Sequence, residues 1–278
     1  MSDGYLFLDQ VVVEQPVRQE QSYRDVFLFR LLIALACVLF LESVYFFIYI
    51  PFQPLTKVYI TPSQSLSQKE IATLSGLHPG SSYFSVDTTA IERTLLQHPL
   101  VEQATVKKLF PSGLTISIIE RSAVALALAK VDGKLCPVYI DRQGVVFKVG
   151  SDTTVSIDGK QLPMISGLVF DKVVLGMKLP AFMRDLFQDL HRIERQNPAL
   201  LEGISEFRVV QKPYGGYELI AYPIFFQGKV LLGTELKEDT LRYMMLVLDV
   251  LAEKGIQTDE IDFRGSTIMY RTKEASSG

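Results

Sequence analysis

The side chains that most often perform chemistry are few in this chain and lie far apart in the sequence. Two of its three histidines directly precede prolines, which is typical of turns and helix ends rather than of metal ligands. Two cysteines can form neither a disulfide scaffold nor a thiolate zinc site, and one of them lies inside an apolar run. We therefore expect no metal and no cofactor. The residues concerned are His78, His98, His191, Cys37 and Cys136.

The short motifs that mark common enzyme families are also absent from the sequence, including H-E-x-x-H, G-x-S-x-G, the Walker loop and G-x-G-x-x-G. Asp141 and Asp262 are the carboxylates that could pair for acid–base work. Each lies in a predicted turn or strand that accounts for it without catalysis. We expect no enzyme, although a membrane-anchored cell-envelope enzyme remains an alternative, because catalytic residues can come together only in the folded chain.

The charge balance excludes a further class of protein. The chain has 28 Lys and Arg residues against 31 Asp and Glu residues, a formal net charge of −3. A general electrostatic nucleic-acid binder needs an excess of cations to contact phosphates, and this chain has none. Its mean hydropathy of +0.21 is nevertheless high for a soluble protein, which indicates that one segment belongs in lipid.

That segment runs over residues 27–50, where only Arg30 and Glu42 are charged. As a helix its 24 residues reach about 36 Å, enough to cross a hydrocarbon core of about 30 Å. A buried core helix rarely runs so long without a polar stripe. A cleaved signal peptide would have a shorter apolar region followed by small residues. The sequence therefore predicts one membrane span, and aromatic residues crowd its far end as in an interfacial belt: Tyr45, Phe46, Phe47 and Tyr49.

Basic residues flank this span unequally. Two arginines precede it closely and a third lies in its first turn, whereas only two lysines occur in the 20 positions after it. Positive residues favour the cytoplasmic side, so we expect residues 1–26 to be a cytoplasmic tail and the chain after Pro51 to be exported. The expected location is the inner (cytoplasmic) membrane, with a single pass. The residues counted are Arg18, Arg24, Arg30, Lys57 and Lys69.

Glu42 is the unusual residue of the span. An ionisable group near mid-membrane costs about 2.5–3.5 kcal/mol on insertion scales. One hypothesis is that Glu42 contacts the transmembrane helix of a partner protein. The other is that the carboxyl group is only tolerated, by protonation or by snorkelling to the interface.

Two blocks follow the span. Residues 51–121 read as strand, helix, helix, strand, strand, which predicts a small sheet with two helices on one face. Residues 122–272 read as a larger mixed β domain with helices on one side, followed by a short tail at 273–278. The fold class is therefore α+β. The signals used are a capping box at Ser67, an N-cap at Asp87, turns at Phe110–Gly113 and Asp132-Gly133, and strands at 204–210, 217–221 and 225–231.

Two amphipathic helices are predicted in the second block. Their apolar residues recur at helical spacing, so these residues should face the sheet. The first helix runs over 181–195 with Phe182, Leu186, Leu190 and Ile193 inward. The second carries Leu241, Met244, Met245, Leu248, Leu251 and Ala252, and stops at Gly255.

Several short motifs, taken in order behind one span, resemble those of a POTRA module as it occurs in the FtsQ/DivIB family of bacterial division proteins. The motifs in the first block are Gly76-Leu77, Pro79-Gly80, Val86-Asp87, His98-Pro99, Ala104-Thr105-Val106, Phe110-Pro111, Leu114-Thr115-Ile116 and Glu120-Arg121. Those in the second block are Ile140-Asp141 with Gly144, Leu162-Pro163 with Gly167, Gly228-Lys229, Leu232-Gly233 and Ile261-Asp262-Phe263-Arg264.

This resemblance implies a non-enzymatic scaffold of the divisome, enriched at the division site. It also implies that the exported C-terminal region binds the membrane-anchored coiled-coil pair FtsB and FtsL (DivIC in some bacteria) and meets other divisome proteins. A second interpretation keeps the architecture and changes the process, to a bitopic POTRA adaptor for envelope secretion or assembly.

The partner surface is expected at the end of the chain. In a strand, Ile261 and Phe263 would point to one face and Ile268 and Tyr270 to the other, so the apolar face changes near Gly265. This change predicts an edge strand with a bulge near Gly265. An edge strand can pair with a partner strand through its backbone. Arg264 would fix the register by binding a partner carboxylate, or else it bonds Asp262 within the chain. The predicted contact residues are Arg264, Gly265, Ser266, Thr267, Ile268, Met269 and Tyr270, with Arg242, Tyr243 and Met244 of the preceding helix as additions unless Met244 belongs to the core.

Overall fold

The structure is a computed structural model of the chain. It describes residues 23–131, 133–150, 156–157, 160–170, 172–265 and 267–272, so most of the N-terminal tail, Arg18, Asp132, Ser266 and the tail at 273–278 lie outside the described residues. The helices are α1 (Tyr23–Val44), α2 (Ile50–Phe52), α3 (Gln68–Leu74), α4 (Thr88–Leu96), α5 (Arg184–Gln196), α6 (Ala199–Glu202) and α7 (Glu238–Glu253).

The strands form a small sheet, a large sheet and a short two-stranded ribbon made by β7 and β8. The strands are β1 (Lys57–Ile60), β2 (Val101–Leu109), β3 (Gly113–Glu120), β4 (Ala123–Val131), β5 (Lys134–Asp141), β6 (Val146–Val149), β7 (Ser156–Ile157), β8 (Lys160–Gln161), β9 (Met164–Ser166), β10 (Ile204–Gln211), β11 (Tyr217–Pro223), β12 (Lys229–Gly233), β13 (Thr258–Asp262) and β14 (Met269–Thr272).

A continuous helical segment contains the predicted span. Within the described part of the chain, one segment, Asp25–Phe52, is long and apolar enough to cross a membrane, and its most apolar 18 residues have a mean hydropathy of 2.5. The helix ends at Phe52, between Pro51 and Pro54. A π-helical turn, Tyr45–Tyr49, precedes Pro51, and such a wider turn changes the hydrogen-bond pattern where a proline would otherwise disrupt it.

The small sheet has the predicted order of elements. Strand β3 lies in the middle, parallel to β1 and antiparallel to β2. Ser67 forms the predicted capping box at α3, in which its Oγ accepts from the Glu70 N–H and a Glu70 carboxylate oxygen accepts from the Ser67 N–H. The Asp87 carboxylate accepts from two N–H groups at the start of α4. Both helices pack their apolar residues on the sheet, and the core includes Ile71, Ile91, Leu95, Leu114 and Ile116.

The large sheet has nine strands in the order β14-β13-β12-β11-β10-β9-β4-β5-β6. Strand β9 is parallel to both of its neighbours, and β12 is parallel to β13, while the other pairs are antiparallel. Helices α5 and α7 contribute to the same buried core as the sheet. The confirmed class is therefore α+β, with an apolar N-terminal helix, a small unit of three strands and two helices, and a larger β domain.

Two details of the second block differ from the sequence-based expectation. Phe182 is exposed, whereas Met183 and Phe187 are fully buried with Leu186, Leu190 and Ile193. A 3-10 turn, Ala181–Met183, precedes α5, and its tighter winding places Met183 rather than Phe182 toward the core. The strand expected at 225–231 is β12, which begins only at Lys229, because Phe225 lies in a turn with its ring in solvent.

Candidate functional site

The end of the chain forms a β-hairpin. The prediction of a single strand with a bulge near Gly265 is wrong, because β13 and β14 run antiparallel, with Ile261 opposite Tyr270 and Asp262 opposite Met269. The apolar parity changes because the chain reverses direction between Asp262 and Met269. A bulge and a reversal both move side chains to the other face of a strand, so the sequence pattern alone does not distinguish them.

Strand β14 is the last strand at its side of the large sheet, and no other described strand pairs with its outer edge. Alternate N–H and C=O groups along such an edge point away from the sheet. Met269 and Tyr270 carry large apolar side chains on this strand, with 63% and 55% of their surfaces exposed. The hairpin therefore offers backbone hydrogen-bonding groups and apolar surface at the same place.

The predicted contact residues lie in two parts of the hairpin. Met269 and Tyr270 belong to β14. Arg264 and Gly265 lie in the link that follows β13, and Thr267 and Ile268 come directly before β14. Ser266 is outside the described residues. Ile268 is half-buried and packs against the large core, so it supports the hairpin from inside as well as lying near its edge.

Arg264 is held by two carboxylates of its own chain. Its Nε and Nη2 donate to the two Asp262 oxygens over 2.9 and 2.6 Å, and its Nη1 donates to Glu218 on β11 over 3.2 Å. The hydrogen bond from Arg264 is the main reason that the pKa of Asp262 is lowered. The alternative in which Arg264 bonds Asp262 is thus present in the structure, and the contact with a partner carboxylate stays a prediction.

A second ion pair supports the hairpin from the neighbouring strand. Lys229 on β12 lies 2.7 Å from the Glu260 carboxylate on β13, and this bond lowers the pKa of Glu260. Arg271 on β14 is opposite Glu260 in the register. Since cross-strand partners share a face, charged residues from three strands line one face of this edge.

Helix α7 brings further residues to the hairpin. The ring of Tyr243 meets the ring of Phe263 edge-on, with 6.1 Å between the ring centres, and much of Tyr243 is exposed. Met244 is fully buried, so the interpretation of Met244 as a core residue is correct. Arg242 pairs with Glu238 one turn earlier on the helix. Sequence reasoning did not find the Tyr243–Phe263 pair, because its two residues lie on different elements and meet only in the fold.

Glu42 lies on α1, and its side chain is exposed on the surface of this apolar helix. Both hypotheses for Glu42, a contact with a partner span and a tolerated carboxyl group, are consistent with this position.

The side chains considered for metal binding or acid–base chemistry lie apart from the terminal hairpin or are paired within it. Among the described residues, no three His, Cys, Asp or Glu side chains are grouped so as to hold a metal ion. Asp141 is buried in an ion pair with Arg121, and Asp262 is paired with Arg264. Both aspartates that the sequence offered for acid–base chemistry, Asp141 and Asp262, are therefore paired with an arginine.

Comparison with known proteins adds evidence from outside the structure. A family model described as "POTRA domain, FtsQ-type" matches residues 53–121, the small sheet with its two helices. A cell division protein FtsQ from Geobacter sp. (strain M21) is 28% identical over 162 residues, covering 58% of this chain and 56% of that protein.

Two further relatives extend the comparison. A cell division protein FtsQ from Myxococcus fulvus is 28% identical over 150 residues, covering 52% of this chain and 49% of that protein. A cell division protein DivIB from Bacillus subtilis (strain 168) is 31% identical over 91 residues, covering 32% of this chain and 35% of that protein. The chain thus spans about half the length of the first two relatives.

Proposed function

The chain belongs to the FtsQ/DivIB family of bacterial cell-division proteins, and on this basis we propose that it is a membrane-anchored, non-enzymatic scaffold of the divisome. Its proposed partners are the coiled-coil proteins FtsB and FtsL (DivIC), bound by the exported C-terminal hairpin, together with other divisome proteins. The observation that carries the proposal is the open outer edge of β14 at the end of the large sheet.

The proposed mode of binding is strand addition. An extended partner segment would lie along β14 as a tenth strand and bond to its outward N–H and C=O groups. Tyr270 lies opposite the buried Ile261, so the two side chains share the face of the sheet on which α7 packs. Met269 lies on the other face. A partner strand would therefore meet an apolar side chain on each face of the edge, and this fixes which partner residues contact them.

Arg264 has a defined part in this proposal. A guanidinium group has five N–H groups, so its bonds to Asp262 and Glu218 still leave donors for a partner carboxylate. Asp262 holds the group in a forked arrangement, which limits the directions in which it can donate. We propose that Arg264 binds an acidic partner residue and so sets the register of the added strand.

The proposed arrangement at the membrane follows from the apolar helix. Residues 27–50 would cross the inner membrane with the N-terminus in the cytoplasm, and residues 51–121 and 122–272 would form two exported domains. Separate buried clusters support this division, one in the small sheet and two in the large domain. Glu42 would lie within the span, where a polar contact with a partner span is the proposed role.

The experiment is co-purification of the full chain from detergent with its FtsB- and FtsL-like partners. Tyr270→Ala removes the exposed ring at the edge, and Met269→Asp puts a charge at the exposed position beside it. We expect both variants to lose the partners and to keep the far-UV circular dichroism spectrum. The matched control is Tyr214→Ala, which removes a fully exposed tyrosine from the β10–β11 turn, three strands away from β14.

Retention of the partners by both edge variants would exclude strand addition at β14. Loss of the partners from the Tyr214→Ala variant as well would show that the effect is not specific to this edge. A third variant, Glu42→Leu, separates the proposed contact in the membrane from the contact at the hairpin. Normal recovery of the partners with Glu42→Leu would leave Glu42 as a tolerated carboxyl group.

A further inference from the structure

Aromatic rings join the end of the apolar helix to the tip of the small sheet. Phe46 and Phe47 lie in the π-helical turn near the end of this helix. The ring of Phe110, in the turn between β2 and β3, lies 5.4 Å from each of them between ring centres. At these distances the rings are in contact, so the β2–β3 turn packs directly on the end of the predicted span.

The contacts continue through a second loop of the small sheet. The ring of Tyr83 lies 5.8 Å from Phe110 and 5.5 Å from Phe84, and Phe84 lies 5.1 Å from Phe52 at the end of α2. These aromatic contacts therefore run from the π-helical turn through the small sheet and back to the end of α2. We refer to this group as the aromatic cluster, and its members are Phe46, Phe47, Phe52, Tyr83, Phe84 and Phe110.

The outer members of the aromatic cluster remain open to their surroundings. Phe84 is 53% exposed and Phe110 is 44% exposed, and the neighbouring Leu109 is also exposed. Exposed rings that touch one another form a contiguous apolar patch, which a soluble surface rarely carries without a binding role. The rings of a core would instead be covered on all sides, as Phe187 and Phe207 are in the large domain.

The aromatic cluster lies at the end of the predicted membrane span, so a lipid surface is the natural cover for its exposed rings. Three of its members belong to the last turns of the segment Asp25–Phe52, so the others lie at the height where that helix leaves the hydrocarbon. Aromatic side chains are enriched at this interface because their rings suit the boundary between acyl chains and headgroups. The surface is thus continuous with a helix that is apolar enough to lie in lipid.

Lysines lie at the same end of the small sheet. The Lys108 ammonium group is 5.3 Å from the centre of the Tyr83 ring. Lys57 lies opposite Gly113 and Lys107 opposite Thr115, both near the β2–β3 turn. Cations next to an apolar surface favour a membrane that contains anionic phospholipids.

We propose that the aromatic cluster binds the membrane surface and so holds the small domain against the bilayer. Tyr83, Phe84 and Phe110 place their rings in the interfacial layer of the leaflet from which the helix emerges, and Lys107 and Lys108 lie near the phosphates. The inference depends on the proposed membrane anchoring and goes beyond it, because it assigns a lipid-binding surface to the folded domain. The domain then has a fixed orientation relative to the bilayer.

The test uses the absence of tryptophan from the sequence. A single introduced tryptophan is therefore the only one in the full chain, and its emission reports its surroundings. The variants are Phe84→Trp and Phe110→Trp at the proposed surface, Phe40→Trp within the span, and Phe225→Trp in an exposed turn of the large domain. Each is reconstituted into vesicles of phosphatidylcholine and phosphatidylglycerol without bromine, with phospholipids brominated in the upper part of the acyl chain to report on the interface, and with phospholipids brominated near the end of the acyl chain to report on Phe40→Trp.

We expect emission shifted to shorter wavelength and strong loss of intensity with brominated lipids for Phe84→Trp and Phe110→Trp. The Phe225→Trp variant should emit as in water and keep its intensity.

If Phe40→Trp is quenched while both surface variants behave like Phe225→Trp, the proposed contact of the small domain with the membrane is wrong and the anchoring proposal stands. If Phe40→Trp is not quenched, the anchoring proposal fails and the inference fails with it. Far-UV circular dichroism checks each variant, and Phe84→Trp, an exposed ring, decides the result if Phe110→Trp alters the fold.

Discussion

Arg121 donates a hydrogen bond from its guanidinium group to the carboxylate of Asp141, and this ion pair joins the small sheet to the large sheet. Arg121 follows β3, and Asp141 ends β5. The side chain of Asp141 is 1% exposed, and its other oxygen accepts from the N–H groups of Gln143 and Val145 at 2.8 Å. Arg121 also donates from Nε to the Pro99 carbonyl oxygen.

Replacing Arg121 tests how strongly this pair holds the two sheets together. The Arg121→Met variant keeps most of the volume but leaves the buried carboxylate without its cation, which should cost about 3–5 kcal/mol. Urea unfolding of the full chain in detergent, followed by circular dichroism, measures the loss. The control is Arg242→Met, which removes an exposed pair one helical turn apart and should cost about 0.5 kcal/mol or less. Equal losses in the two variants would contradict the structural role of the buried pair.

Gly167 and Gly176 provide a matched test of backbone crowding. Both have positive φ angles, +79° and +88°, which strain any other L-residue. A Cβ at Gly167 would lie 2.1 Å from the Val209 carbonyl oxygen, whereas one at Gly176 would meet no atom within 4 Å. Gly176→Ala should lower the free energy of unfolding by about 1–2 kcal/mol, the cost of the left-handed conformation. Gly167→Ala should lower it clearly more, because the backbone of β10 must also move. Similar thermal midpoints for the two variants would show that the close approach is unimportant.

The Arg264–Asp262 pair predicts a pH dependence at the hairpin. Because the pKa of Asp262 is lowered in the fold from its ordinary 3.8, its contribution to stability is present above pH 3.8 and is lost as the pH falls through the lowered value. The carbon-13 shift of the Asp262 carboxyl group should titrate below pH 3.8. In the Arg264→Gln variant the midpoint should rise, since the main cause of the shift is removed. An unchanged midpoint would mean that Arg264 does not hold Asp262 in solution.

Adjacent residues on α7 should separate stability from binding. Met244 is fully buried, so Met244→Ala should cost about 2–5 kcal/mol in urea unfolding. Tyr243 is exposed beside Phe263, so Tyr243→Ala should change stability little and weaken binding of the proposed coiled-coil partners in the co-purification assay. A variant of Tyr243 that unfolds as easily as that of Met244 would assign Tyr243 to the core.

Local signals in the sequence were sufficient where the interacting residues are close in the chain. The capping box of Ser67 and Glu70 and the N-cap of Asp87 were predicted correctly because each needs only a few consecutive residues. The inward face of α5 was predicted with an error at Phe182, since a 3-10 turn changes the helical phase before the helix begins.

The candidate site was less accessible to sequence reasoning because its contacts are distant in the chain. Arg264 and Glu218 are 46 residues apart and meet only through the strand order of the large sheet. The reversal between β13 and β14 has the same parity signature as a bulge. The sequence predicts a contact region at residues 264–270 and offers Asp262 as an internal partner of Arg264; the contact region stays a prediction. The hairpin form and the bond from Arg264 to Glu218 required the structure.

The strand order of the large sheet has a consequence for the geometry of an assembly. Six strand spacings separate β14 from β4, the first strand after the small domain, which is about 29 Å at 4.8 Å per strand. A partner segment bound along β14 therefore lies about 29 Å across the sheet from the strand through which the chain enters the large domain. A segment that crosses the sheet from β14 to β4 needs about nine extended residues. A shorter partner segment at β14 leaves the β4 side of the sheet free for other contacts.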